Sequence, residues 1–209
     1  MNIRFMPKLS PLRLETRRQA ILEAAERAFA RDGFHGTSMQ AICREAGISP
    51  GTLYLYFPSK VALIAGLCER DRHEIRDALS HVEVAADILG ALEEMLIHYA
   101  CIEPQERRAL IFEIGAEAQR NPDVAKIMVE TDAFFSALVR DTILKAIADG
   151  RLIAHGTVEA IIALLFALGD GIMWRATIRP ELDNRAIITQ IFKLLRDKLL
   201  SSTVETNVS

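Results

Sequence analysis

The apolar residues of this chain recur at helical spacing almost from end to end, and no stretch alternates polar and apolar residues between turn signals as a half-buried strand does. Such a chain buries its stripes only by packing helix on helix, so the expected fold is all-α, with about nine helices and no sheet. Punctuation sets the segments. Leu14, Ile21, Ala25, Ala28 and Phe29 share one stripe of a first helix, roughly Leu14 to Arg31, which Gly33 ends. Thr37 and Ser38 offer N-caps for a short second helix in which Met39, Ile42, Cys43 and Ala46 recur on one face. Gly47 suits a left-handed C-cap, Ser49 and Pro50 match an N-cap and first helical position, and Pro58 stops what they start, so a third helix has room for only about seven residues. Ser59 opens a fourth, to about Ser80. Longer, more apolar helices follow over about Val84 to Ile102, Gln105 to Arg120, Asn121 to Asp149, Thr157 to Ile178 and Leu182 to Leu200, and the tail from Ser201 is expected to fray.

With 209 residues, half of them hydrophobic, the chain can bury one large core or two modest ones. Its longest uncharged apolar run, Ala160 to Gly169, is about half of the roughly 20 residues that a membrane span needs, and the N-terminus has no apolar signal region. A cytoplasmic protein with no membrane partner is expected. Cys43, Cys68 and Cys101 are odd in number and widely spaced, which suits small buried hydrophobes better than disulfides or a metal knuckle. The five histidines form no HExxH pair, and there is no GxSxG, P-loop or GxGxxG, so no catalytic residue, metal or cofactor is expected. Charge is uneven: residues 1–60 carry nine Lys and Arg against five Asp and Glu, and the remainder is acidic. A basic end on an acidic body points to a polyanion meeting only the first segment, and an ordinary solvated surface has the same composition.

The short third helix displays Thr52, Tyr54, Leu55 and Tyr56 between two turns. Two short helices joined by Ala46, Gly47, Ile48 and Ser49 have the layout of a helix-turn-helix, whose second helix enters the DNA major groove. A seven-residue helix is about 10 Å long and suits a groove about 12 Å wide. The N-termini at Thr37 to Ser38 and at Ser59 to Lys60 would aim backbone N–H groups at phosphates. On these grounds alone a helical hairpin with half-buried tyrosines stays open, as does a non-catalytic interaction module.

The run from Arg17 to Leu63, with ILEAAERAFARDGFHGTSMQAICREAGISPGTLYLYFPSKVAL at its centre, closely resembles the DNA-binding domain of the TetR/AcrR transcriptional regulators. The AGISPGTLYLYFPSK segment, and Gly33 and Phe34 ahead of Thr37, carry the likeness without a gap. The resemblance implies a helix-turn-helix DNA-binding domain over residues 1–60 joined to a larger helical ligand-binding and dimerisation domain over residues 61–209. It implies a homodimer that represses at a double-stranded DNA operator until a small-molecule effector releases it; an activator of the same fold is the alternative. Carried over by position, it makes Thr37, Ser38 and Gln40 contacts at the second helix, Ser49, Gly51, Thr52, Tyr54 and Tyr56 contacts on the recognition helix, and Lys60 a phosphate clamp. Leu55 stands where many relatives have a polar or larger aromatic residue, and it suits a thymine methyl. Beyond about Leu67 the likeness reduces to helical layout and the LGDGI stretch, Leu168 to Ile172.

The ligand site must therefore come from the residues themselves. An apolar or amphipathic effector is expected in a cavity between the fifth and eighth helices, lined by some of Met95, Tyr99, Phe112, Glu117, Phe135, Phe166 and Trp174. Glu113 and Glu117, one turn apart, either edge that cavity or lie on a solvated margin beside Arg107, Arg108 or Arg120. Asp170 shares a face with Phe166 and Met173, and either pairs across a dimer interface or with a backbone donor, or meets the effector. The stripes of the last two helices, with Ile191 and Leu195, are expected to form a four-helix dimer interface. The fourth helix, about 30 Å long, is the expected route from cavity to DNA.

Overall fold

The computed structural model describes residues 11–202. It holds nine α-helices among them, and each of the expected segments is one of these. α1 (Pro11–Gly36) is kinked at Gly33, where φ of 71° and ψ of 168° end the regular helix as expected and leave one short turn to Gly36 beyond the kink. α2 (Met39–Ala46) is capped by Ser38 and closed by Gly47 in the left-handed conformation. α3 (Pro50–Tyr56) is capped by Ser49, and α4 (Lys60–Val84) by Ser59. Each of the three serine hydroxyl oxygens accepts from the backbone N–H three residues on, so the punctuation acts as the sequence pattern requires.

α4 overruns the expected end by four residues, and α5 (Ile88–Ile97) starts late, capped by Asp87. α5 then gives way to a π-helical turn over His98–Ile102, where a continuous α-helix was expected. α6 (Gln105–Ala118), α7 (Pro122–Ala148), α8 (Val158–Ile178) and α9 (Asn184–Lys198) complete the helices. The expectation of no sheet is wrong in one place. β1 (Leu152–Ala154) pairs antiparallel with β2 (Leu200–Ser202), tying the end of α9 to the α7–α8 connection, and so Ser201 and Ser202 do not fray. Strands of three residues are too short to print an alternating pattern. The tail beyond residue 202 lies outside the described residues. Cys43 and Cys68 are buried as expected, but Cys101 is exposed on the π-turn.

Two apolar cores result. The first gathers Ile21, Ala25 and Phe29 of α1, Ile42 and Cys43 of α2 and Leu53 of α3, and it is completed by Leu63, Ile64 and Leu67 of α4, Leu110 and Ile114 of α6 and Val124 of α7. The second joins Leu79 and Val82 of α4 with α5, α7, α8 and α9. α4 therefore serves both. Between the cores Arg70 meets Glu26 at 2.5 Å, while Arg107 meets Asp71 at 2.9 Å and also Glu74 and Glu103. Burial alone would lower the Arg107 pKa, but the Glu74 hydrogen bond and the charges of Asp71, Glu74 and Glu103 hold it above its usual value.

Gly66 is the tightest point in the first core: a Cβ there would lie 2.8 Å from the Phe57 ring and 2.9 Å from Leu22 Cδ2. Gly66→Ala should therefore destabilise by about 1–3 kcal/mol of overpacking, partly offset by alanine's helix preference of about 1 kcal/mol. A urea unfolding midpoint below that of the unmodified protein is expected, and a raised midpoint would show that Phe57 can move aside.

Candidate nucleic-acid interface and ligand cavity

α3 is fixed from below by Leu53, fully buried, and Phe57, and its opposite face is open. Leu55 is 81% exposed and Tyr54 47%, while Thr52 and Tyr56 are half-buried. Ser38, Gln40, Ser49 and Gly51 are exposed around it, so eight of the ten expected DNA-contact residues reach the outer surface of α2 and α3 in whole or in part. Ser49 also lies 2.9 Å from the Thr52 hydroxyl, which ties that side chain to its own helix N-terminus.

Thr37 and Lys60 do not belong to that surface. Thr37 is 1% exposed, and its hydroxyl donates to the carbonyls of Ala28 (3.0 Å) and Gly33 (2.8 Å), closing the kink of α1. The Lys60 ammonium turns inward as well. It donates to the carbonyls of Phe34 and Thr37 (the latter at 2.9 Å) and sits 4.3 Å from the centre of the Phe34 ring. Burial lowers its pKa, with the Glu117 charge acting the other way. The phosphate clamp expected at Lys60 is thus a pin that holds α4 to the α1–α2 turn.

The two glutamates expected at the cavity grip the same turn from the other side. Glu113 Oε1 accepts from the Phe34 backbone N–H at 2.7 Å. Glu117, only 4% exposed, lies 2.8 Å from His35 Nε2, accepts from Asn121 at 3.0 Å and has Arg120 at 3.7 Å. The Phe34 backbone is therefore held through its carbonyl by α4 and through its N–H by α6. Neither carboxylate lines the cavity; Glu117 has the Arg120 neighbour expected of a margin, and both join the α1–α2 turn to α6. The sequence hides this because Phe34 and Glu113 are 79 residues apart.

The cavity itself lies where α4, α5, α6, α7, α8 and α9 meet, with a volume of about 260 Å³. Met95, Tyr99, Phe166 and Asp170 line it as expected, joined by Leu92, Leu96, Met173 and Phe192, which were not expected in the lining, and by Ile75 of α4 and Ile111 of α6. Their signal was the apolar stripe of each helix, which cannot distinguish a cavity wall from a core. Phe112, Phe135 and Trp174 are not among the lining residues. Phe112 and Trp174 stack edge to face at 5.1 Å across α6 and α8, and Phe135 packs against Phe134, which carries Arg76 over its ring. Asp170 is the one carboxylate in the lining; it is exposed at the rim, and partial desolvation, then the neighbouring Asp132, raise its pKa. Burial also raises that of Tyr99.

Comparison with known proteins bears on both regions. Residues 21–67 match the family model for bacterial regulatory proteins of the tetR family, and residues 90–200 match that for the C-terminal part of BetI-type transcriptional repressors. The HTH-type transcriptional regulator UidR of Escherichia coli K12 is 39% identical over 113 residues, 53% of this chain and 56% of that one, so the match spans little more than half of the relative's length. The solved structure of Salmonella enterica GusR superposes with a TM-score of 0.75 at 32% identity, covering 92% of this chain and 98% of that one. A transcriptional regulator from Saccharomonospora viridis, solved in complex with choline, shares the fold at 19% identity and a TM-score of 0.72, over 90% of this chain and 99% of its own.

The position of Lys60 gives a prediction. Lys60→Met should leave the Phe34 and Thr37 carbonyls without this donor and lower the unfolding free energy by about 1–3 kcal/mol. It should not change the salt dependence of binding to duplex DNA. A slope smaller by about 0.9, with stability unchanged, would return the ammonium to a phosphate.

Proposed function

Since the chain belongs to the TetR family of bacterial regulatory proteins, we propose that it is a cytoplasmic transcriptional repressor, a homodimer that sets two copies of α3 in successive major grooves and releases DNA when a small molecule fills the cavity. The observation that carries this is the outer face of α3. An exposed leucine and tyrosine on a seven-residue helix gain little from water, but they offer a methyl contact and a hydroxyl to base edges.

Dimerisation supplies the second helix. α8 leaves Leu164, Ala167, Gly171, Trp174 and Ile178 exposed along one side, and α9 leaves Ile187 and Leu194. Two such faces suit an isologous four-helix contact that spaces the recognition helices about 34 Å apart, or a multiple of it. Ile191 and Leu195, expected at that interface, face the protomer's own core: Leu195 is buried and Ile191 packs beside it. The same stripe explains why Val158–Ile178 is apolar enough by composition to cross a membrane although only 22% of its most apolar stretch is buried.

The cavity suits an effector with an apolar body and a cationic or hydrogen-bond-donating group for Asp170 and Tyr99. The choline complex of the Saccharomonospora viridis regulator supports a small-molecule site in this fold. Coupling follows from shared helices. Ile75 and Ile111 bring α4 and α6 to the cavity, and the same two helices hold Phe34 through Lys60 and Glu113. A ligand that parts them shifts the turn on which α2 and α3 are mounted. A tenfold loss of operator affinity then requires about 1.4 kcal/mol of preference for the released state.

Selection of sites from a random duplex library tests the central reading: a palindromic site should be enriched, and failure to enrich any sequence would sink it. Ile187→Glu combined with Leu194→Glu should give folded monomers that no longer hold that site; an intact dimer in sedimentation would move the interface elsewhere. In a thermal-shift screen of amphipathic amines, Glu113→Ala should leave stabilisation by each hit intact and abolish release of DNA. Release undiminished in that variant would remove α6 from the coupling.

A further inference from the structure

The cations of the DNA-facing unit are mostly committed within the protein. Arg18 meets Glu69 at 2.5 Å, Arg27 and Arg31 share Glu45 at 3.0 and 3.3 Å, and Lys60 is bound to carbonyls. Arg17 and Arg44 differ: both are exposed, and among the described residues neither has an ion-pair or hydrogen-bond partner. Glu45 is adjacent to Arg44 in sequence, yet its carboxylate turns to Arg27 and Arg31. Their hydrogen bonds hold its pKa below the usual carboxylate range.

The two arginines flank one turn. Arg44 follows Gln40 by one helical turn on α2, and the two line, with Gly47, Ile48 and Pro50, a groove of about 380 Å³ at the foot of α3. Arg17, on α1, lines a groove of about 480 Å³ with Thr16, Ala46 and Ile48. Ile48, the residue before the α3 cap, is common to both grooves, so α3 starts between two uncompensated guanidinium groups.

We propose that Arg17 and Arg44 are phosphate contacts on either side of the α2–α3 turn, supplying the charge that the inward-facing Lys60 ammonium does not. The proposal rests on the DNA-binding reading above. A guanidinium binds a phosphate with two parallel hydrogen bonds and keeps its charge at any working pH. Such contacts set the register of α3 in the groove without reading sequence, so they act on every duplex alike. Each phosphate neutralised releases counterions and adds about 0.9 to the slope of log affinity against log salt. An arginine that only faces solvent adds no such step.

The test needs no knowledge of the operator. Fluorescence anisotropy of a random-sequence duplex is titrated with the full chain between about 50 and 200 mM salt, a range over which such contacts are resolved. Arg17→Ala and Arg44→Ala should each lower the slope by about 0.9, and the double variant by about 1.8, with unfolding midpoints unchanged because both side chains are exposed. Arg44→Lys should retain the slope. Arg27→Ala, which removes a cation already paired with Glu45, is the control and should leave it unchanged. Slopes equal to that of the unmodified protein in both alanine variants, or a loss no larger than in the Arg27 control, would overturn the proposal. An unmodified protein that binds no duplex at all would sink the DNA reading itself, a different result from binding with unaltered slopes.

Discussion

The backbone of Phe34 is bound at both its N–H and its carbonyl by charged side chains from distant helices. Glu113 of α6 takes its N–H, and Lys60 of α4 takes its carbonyl while lying over its ring. A charge-assisted hydrogen bond is roughly twice as strong as a neutral one, and leaving either peptide group unpaired at this part-buried site would cost about 1–3 kcal/mol. The left-handed Gly33 makes the arrangement possible. A Cβ there would lie 3.0 Å from Glu113 Oε1, so the carboxylate can approach only because glycine leaves the space and adopts the positive φ. Thr37 then closes the kink through two carbonyls.

From this junction the two halves of the chain lose their independence. The core under α3 is finished by α4, α6 and α7, and the ion network of Arg70 and Arg107 ties α1, α4 and α6 over the same boundary. A division at residue 60, natural from the motif, separates Lys60 from the helix it begins. The α1–α3 unit is thus a head carried on two struts, α4 and α6, and both struts reach the cavity.

What the sequence made legible was local. The serine caps of α2, α3 and α4, the left-handed Gly47 and the stop at Pro58 need only neighbours within four residues, and all were read from residue type. What it concealed was distant. Thr37 and Lys60 carry the same hydroxyl and ammonium whether they face a phosphate or a carbonyl, and only the fold reveals which. Glu113 and Glu117 stood out correctly as polar residues on an apolar helix, but their partners, Phe34 and His35, belong to the far end of the chain. Aromatic residues posed a similar problem: Phe166 faces the cavity, whereas Trp174, two turns on, stacks on Phe112.

The π-turn after α5 makes the chemistry of the cavity depend on counting. Tyr99 sits inside that turn, where one extra residue is looped into the helix, and it brings the one hydroxyl to the lining. Deleting His98 would restore a regular helix and move Tyr99 into its place, about 100° around the axis from where it stands, while the side chains beyond the turn kept their phase. The phenol would swing off the wall while Met95 and Leu92, earlier in α5, kept their places. A lineage could thus change from a hydroxyl-bearing pocket to a wholly aliphatic one on this side by a length change, with no substitution at any lining residue.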